Sequence, residues 1–250
     1  MKISVITIAY NSAETIKDTI ESVLAQDYSD LEYIIVDGAS KDATMDIVKS
    51  YGNRISKYVS EKDKGIYDAM NKGISLATGD IIGILNSDDY YADSRVISEI
   101  AAKFEESGAD GVYADLVYVD RDHSEKVMRK WIAGPYRKGL FKKGWMPPHP
   151  TFFVKRSCYI KFGIYSLELR SAADYELMLR FIHKHEIKVA YLPKIITRMR
   201  LGGQSNVSLK NRLKANIEDR KAWKMNGLKP SYFTLIRKPL SKLGQFFKAG

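Results

Sequence analysis

Carboxylates and amides stand where apolar runs break off, and side chains at such points are placed to meet a ligand. Asn86-Ser87-Asp88-Asp89 follows the strand-like run Asp80–Leu85, and Asp37-Gly38-Ala39-Ser40 follows Tyr33-Ile34-Ile35-Val36. Adjacent carboxylates on a tight turn repel each other unless a cation or hydrogen-bond donors compensate. Hard oxygen ligands of this kind favour Mg2+ or Mn2+ bound together with substrate phosphates. The plainer reading of Asp88 and Asp89 is that they cap the turn and the helix behind it. Asp174, taken by itself, reads as the N-cap of the helix it opens. Glycine loops that cradle phosphate are excluded. Tyr10-Asn11-Ser12-Ala13-Glu14-Thr15 contains no glycine, so the dinucleotide fingerprint fails, and no P-loop pattern occurs. Phosphate must be held another way.

The elements that position these residues alternate in the first half. Ile3–Tyr10, Leu31–Asp37, Lys57–Ser60 and Asp80–Leu85 read as strands. Between them, Asn11-Ser12-Ala13-Glu14 offers a capping box to a helix with the stripe Ile16, Ile20, Val23 and Leu24. Helices are also expected over Asp42–Tyr51, over Ile66 to about Ala77 with Gly79 as its C-cap, and over Asp93–Ser107 closed by Gly108. Such repetition with short connections argues for a mostly parallel sheet whose ligands bind beyond the carboxyl ends of its strands. Tyr10-Asn11, Asp37–Ser40, Glu61–Gly65 and Asn86–Asp89 all fall on that edge. The second half is less regular. Gly111–Val119, Lys126–Trp131, Thr151–Val154, Lys188–Leu192 and Ile195–Arg200 are strand candidates, Gly134–Pro150 is a loop or short helix, and Asp174–His185 is a helix.

With 250 residues, the chain is long enough for a core without metals or cross-links. The single Cys158 cannot form an internal disulfide, and no apolar run reaches the ~18 residues that span a bilayer. Met1–Tyr10 reads as a buried strand rather than a signal peptide. The net charge of +10 is uneven: residues 1–125 carry −12, residues 126–167 hold ten Lys/Arg and no Asp/Glu, and residues 207–250 carry +9. An acidic half followed by a basic one implies a polyanionic partner: nucleic acid, anionic lipid or a phosphorylated substrate.

Five segments occur in a fixed order: Ser4–Asn11, Ile35–Thr44 (IVDGASKDAT), Gly65–Gly73 (GIYDAMNKG), Ala77–Asp80 and Leu85–Asp89 (LNSDD). Together they resemble family-2 glycosyltransferases of the GT-A fold, over roughly residues 3–205, and especially bacterial relatives that build surface polysaccharides. The resemblance implies an α/β fold with a Rossmann-like, mostly parallel sheet flanked by helices. It also implies metal-dependent, inverting transfer from a nucleotide-diphosphate sugar. Asn86-Ser87-Asp88 stands where the family keeps its metal-binding DxD, with Asn in place of the first Asp, so Asp88 inherits the Mn2+ or Mg2+ ligand and Asn86 a ribose or phosphate contact. Asp37 matches the nucleotide-pocket Asp, in a segment with one Asp fewer than usual. Tyr10, Asp63, Asn71 and Lys72 fall in stretches that line nucleotide and sugar. Ser171–Leu177 resembles the ED motif with Ala173 replacing Glu, so Asp174 is the expected catalytic base. His149 and Trp145 lie on the implied acceptor side. Arg200-Leu201-Gly202-Gly203-Gln204-Ser205 resembles a loop that closes over the diphosphate. The Q/RxxRW element is missing, which argues against a processive synthase.

The resulting expectation divides the chain into residues 1–206, the glycosyltransferase domain (1–125 nucleotide-sugar half, 126–206 acceptor half), and residues 207–250, a basic amphipathic helical tail. The expected partners are a nucleotide-diphosphate sugar such as a UDP-sugar, a glycan acceptor that is polyprenyl-diphosphate-linked, and an anionic membrane surface, with no nucleic acid. Cytoplasmic residence at the inner face of the cell membrane follows, with tail aromatics and Trp131, Phe141 and Trp145 among cations at the headgroups. Two rivals stand beside it: a nucleotidyltransferase, and a catalytically inactive nucleotide- or polyanion-binding module.

Overall fold

Buried strands in the first half take the form the apolar runs dictate. The computed structural model describes residues 1–202 and 209–229, the side chains of 209–216 excepted. Its strands are β1 (Ile3–Ala9), β2 (Leu31–Asp37), β3 (Lys57–Ser60), β4 (Ile81–Asn86), β5 (Asp89–Tyr91), β6 (Gly111–Val119), β7 (Val127–Trp131), β8 (Phe153–Lys155) and β9 (Val189–Arg200). Its helices are α1 (Ile16–Leu24), α2 (Thr44–Ser50), α3 (Ile66–Leu76), α4 (Val96–Ser107), α5 (Arg156–Phe162), α6 (Ala173–Met178) and α7 (Leu209–Met225). All nine strands join one sheet in the order β3-β2-β1-β4-β8-β6-β9-β5, with β7 added alongside β6. The first four run parallel, and β8 enters antiparallel to both β4 and β6.

Alternation along the central strands divides the core in two. Ile6, Ile8, Ile34 and Val36 face one layer with α3, α5 and α6, while Val5, Tyr33 and Ile35 face the other with α1 and α4. Both sheet faces are covered, which is why these strands read as near-continuous apolar runs. Helix α3 lies very close to β1: a Cβ on Gly73 would run into Ile6. At the opposite end from the site, Glu32 ties four segments together. It accepts from Ser4 Oγ (2.6 Å), Lys57 Nζ (3.0 Å) and the Thr78 amide (2.8 Å).

Several local expectations are corrected. The capping box does not form: Thr15 is the N-cap of α1 and its hydroxyl donates to the Ser87 carbonyl (2.8 Å) rather than capping the helix, while Asn11 Oδ1 accepts from the Lys41 amide (2.9 Å) and Glu14 pairs with Arg121 (2.9 Å). Gly79 is no C-cap. Helix α3 ends at Leu76, and Gly79 leaves room for β1, its amide donating to Ser4 Oγ (2.9 Å). Gly108 does close α4 in the left-handed conformation, at φ 59°. Asp89 caps no helix but opens β5, paired with Met199. The two strands expected around residues 188–200 are one, β9, whose register against β6 jumps between Leu192 and Ile195 and so absorbs Pro193. The expected helix from Asp174 starts at Ala173 and turns π-helical over Leu179–Lys184. Within Gly134–Pro150 only 3-10 turns form, Leu140–Lys143 and one begun by His149.

Helix α7 is seated on α6. Asp219, Ala222, Trp223 and Asn226 recur at helical spacing and are buried, and Trp223 Nε1 donates to Tyr175 Oη (2.9 Å). The cut at residue 206/207 therefore falls ahead of a helix that shares the core. The rest of the expected tail, residues 230–250, and the loop residues Gly203-Gln204-Ser205 lie outside the described residues.

Candidate functional site

The carboxyl ends of β1, β2 and β4 carry three loops bound to one another through their backbones. Asn11 N–H donates to Ser40 Oγ (2.8 Å), Lys41 N–H to Asn11 Oδ1 (2.9 Å), Ser12 N–H to Thr44 Oγ1 (2.8 Å) and Ala13 N–H to Asp42 Oδ2 (3.0 Å). Asn11 and Ala39 occupy the left-handed region, at φ 49° and 61°, a conformation that costs a non-glycine residue about 1–2 kcal/mol. Asp37 is fully buried, and its carboxylate accepts from the Ser40 amide (3.0 Å), the Ser40 hydroxyl and the Ser60 hydroxyl (2.6 Å). It shapes the loop. Gly38 beside it leaves a gap: a Cβ there would lie 2.5 Å from Asp63 Oδ2 and 3.3 Å from the Tyr10 ring. Tyr10, 55 % exposed, and Asp63 thus both pack over Gly38, which brings an exposed aromatic ring and a carboxylate together.

The turn after β4 holds the second group. Asp89 is fully buried and accepts from Asn86 Nδ2 (3.0 Å), whereas Asn86 Oδ1 and Asp89 Oδ1 are buried with no hydrogen-bond partner. Burial, and then the charge of Asp88, push the Asp89 carboxyl well above its ordinary value. Burial also raises Asp88, against the pull of Arg200, Arg121 and His149. Arg200 braces the turn from behind. It donates to the Asp88 carbonyl (3.0 Å), pairs with Asp18, and stacks on Tyr90 at 4.8 Å. A cleft of about 240 Å³ opens there, lined by Glu14, Asp18, Arg121, Asp122, Ser124 and Arg200 among others.

A divalent cation fits this donor set. The oxygens of Asn86 and Asp89 that have no hydrogen-bond partner among the described residues and the carboxylate of Asp88 are hard oxygen ligands, and an added positive charge would offset the burial that raises both carboxyls. Among the described residues no three His, Cys, Asp or Glu side chains gather into a closed cage. The arrangement suits an ion that shares its coordination with phosphate.

Asp174 forms the third group. Ala172, not Asp174, is the N-cap of α6, and no side chain caps that helix. The carboxylate is held instead by residues far away in sequence: Tyr67 Oη donates to Oδ1 (3.1 Å), and His149 Nδ1 lies 3.4 Å from Oδ2. Burial and the Asp174 charge raise the Tyr67 hydroxyl far above its ordinary value, so it stays a proton donor. Tyr67 stacks on Tyr165 at 5.6 Å. Asn71 spends its whole amide on Tyr165, donating to its carbonyl and accepting from its N–H, both at 2.9 Å. Lys72 reaches the Lys62 carbonyl (2.8 Å) and Glu61 (2.9 Å), folding the loop before α3.

The structure therefore brings Asp88, His149 and Asp174 into one neighbourhood and Tyr10, Asp37 and Asp63 into another. Asn71 and Lys72 appear as supports. Trp145 is partly buried: its Nε1 donates to the Ala133 carbonyl (2.8 Å), and its ring packs on Tyr113, Tyr136 and Phe141. Phe141 is fully buried, so its expected display to a surface is corrected. Sequence reasoning missed Tyr67, Tyr165 and the bracing role of Arg200. Tyr67 lay inside a quoted motif, but its partner stands 107 residues on.

A mixed α/β sheet with acidic turns on its carboxyl edge is compatible with many activities, and comparison with known proteins narrows them. The Glycosyl transferase family 2 pattern matches residues 4–167, and the chain belongs to that family. It is 28 % identical over 207 residues to a PGL/p-HBAD biosynthesis glycosyltransferase of Mycobacterium bovis, covering 81 % of this chain and 78 % of the relative. It is 33 % identical over 186 residues to an uncharacterised glycosyltransferase of Mycobacterium tuberculosis, covering 71 % and 68 %. Among solved structures it resembles S. aureus TarS with a TM-score of 0.64 at 20 % identity; all of this chain is matched, but only 49 % of TarS. The mannosyltransferase PcManGT of Pyrobaculum calidifontis, in complex with GDP-Man and Mn2+, matches with a TM-score of 0.70 at 18 % identity, over 99 % of this chain and 73 % of that one. These likenesses identify the GT-A type of fold.

Proposed function

We propose that this chain transfers a sugar, with inversion, from a UDP-sugar or a similar nucleotide-diphosphate sugar to a hydroxyl of a lipid-linked glycan acceptor. The observation that carries the reading is the Tyr67–Asp174–His149 cluster, a carboxylate flanked at both oxygens by groups of which His149 also acts on Asp88. Asp174 takes the proton of the acceptor hydroxyl as that oxygen bonds to the anomeric carbon and the bond to the diphosphate breaks. No enzyme nucleophile intervenes, so one displacement inverts the centre. Tyr67, kept protonated, fixes the orientation of the carboxylate and leaves its second oxygen towards His149.

The exposed Tyr10 ring beside Asp63 is suited to stack on a planar base, with Asp37 holding the loop beneath. When bound at Asp88 with the free oxygens of Asn86 and Asp89, a divalent cation, Mn2+ or Mg2+, supplies neutralising charge to the diphosphate leaving group. Two fold neighbours, TarS in complex with UDP-GlcNAc and PcManGT in complex with GDP-Man and Mn2+, support a nucleotide-sugar donor and a metal. The excess of base after residue 125 supports work at an anionic membrane, from its cytoplasmic face.

Asp174→Asn tests the assignment. The amide still accepts from Tyr67 but cannot take a proton. The expected result is kcat lower by about 10²–10⁴-fold with donor KM near wild type. A fall in activity matched by loss of thermal stability would show Asp174 to be a structural acid.

A further inference from the structure

Helix α5 and the turn after it present isoleucines to solvent. Ile160 is 71 % exposed and Ile164 46 %, and Leu167 is exposed further along the same connection. A groove of about 200 Å³ runs between α3 and α5, lined by Ile74, Ser75, Arg156, Tyr159, Ile160 and Ile164. Its cations are Arg156 and, on the same helix, Lys161, both exposed, and neither is in an ion pair among the described residues. The segment 126–167 to which they belong contains no acidic residue.

The turn carrying Ile164 is held firmly. Arg180, paired with Glu176 (2.9 Å), donates to the Phe162 carbonyl, to the Gly163 carbonyl (2.8 Å) and to the Ile164 carbonyl (2.8 Å). Gly163 takes φ 90°, a conformation that favours glycine. An exposed apolar side chain on a turn fixed by three hydrogen bonds is pre-organised, so little ordering entropy opposes its burial.

We infer that this face, Ile160 and Ile164 flanked by Arg156 and Lys161, docks the chain on an anionic lipid surface. Isolated isoleucines enter the acyl boundary while long basic side chains keep their charges at the headgroups. Either feature alone anchors weakly, and stable docking needs both. The placement also has a consequence for the site. Ile164 adjoins Tyr165, which stacks on Tyr67, which holds Asp174, so a docked bilayer lies one ring stack from the base. The inference deepens the proposed membrane association and rests on it.

The test is co-sedimentation of the full chain with vesicles of equal parts phosphatidylglycerol and phosphatidylcholine. Ile160→Ser with Ile164→Ser is expected to lower binding at least about tenfold, with an unchanged melting temperature. Arg156→Glu with Lys161→Glu should do the same, and high salt should weaken wild-type binding. Met128→Ser with Ile132→Ser, which removes exposed apolar groups on and beside β7, is expected to bind as wild type does. If wild type fails to bind the vesicles, membrane association itself falls. If wild type and both α5 variants bind alike, association stands and this surface is wrong. Conversion of a dimer to a monomer by the isoleucine variant, with vesicle binding intact, would make the face a self-association surface and overturn the inference.

Discussion

Asp88 and Asp89 are adjacent and yet occupy different environments. Asp89 is fully buried on β5, bonded to Asn86, and disfavoured as a carboxylate by burial and by its neighbour's charge. Asp88 is half-buried and lies within the field of three basic groups, so it is the one that can meet an ion and a phosphate together. Asp88→Ala is expected to leave the fold intact, because a crowded charge is removed and no side-chain cap is lost. Nucleotide affinity measured by calorimetry in Mn2+ should fall at least about tenfold, while affinity without metal stays near wild type. Undiminished affinity in Mn2+ would remove the metal assignment. The motif singled out Asp88, but the burial of Asp89 was not visible in the sequence. Both residues look like turn acids there, and Asp89 is a strand residue only because Met199 pairs with it.

Elements in the first half are tied together by Glu32, which joins β1, β2, β3 and the connection into β4. Burial by itself would raise this carboxyl, but hydrogen bonds from Ser4, Thr78 and Lys57 outweigh burial and hold it at about 2, against an ordinary value of 4.5. A carboxyl depressed on folding stabilises the native state above its unfolded value, and that contribution is lost as pH falls through the folded one. The window is therefore about pH 4.5 down to about 2, and the contribution at neutral pH is about 3 kcal/mol. In urea unfolding, Glu32→Gln is expected to be clearly less stable than wild type at pH 6, with the gap closing towards pH 3. A gap that stays constant with pH would mean that the charge of Glu32 contributes nothing. Element order was legible here because β1, β2 and β4 are buried on both faces and their polar ends mark the sheet's edge. Helix starts were less so: the Asn11–Glu14 capping box gave way to contacts with Lys41 and Arg121.

Across the whole molecule, Asp174, the proposed base, depends on packing from both halves and from the helix after residue 208. Trp223 of α7 is fully buried and bonded to Tyr175, the residue next to Asp174, and Asn226 reaches Glu176 (2.9 Å). Trp223→Ala is expected to cost about 3–5 kcal/mol in urea unfolding, and a loss under about 1 kcal/mol would show that α7 only rests on α6. The chain's own pattern was enough for the family, the α/β class, the edge of the sheet that carries the site, and the acids at Asp88 and Asp174. Those follow from local order: apolar runs, turn residues and motif spacing. The tertiary structure alone decided which residues complete the site. Tyr67 meets Asp174 across 107 positions, and His149 reaches it from a 3-10 turn in an irregular stretch. It also turned Asn71 into a clamp and Phe141 into core. Contacts at such separation are selected by how layers pack against each other, and no periodicity along the chain records that choice.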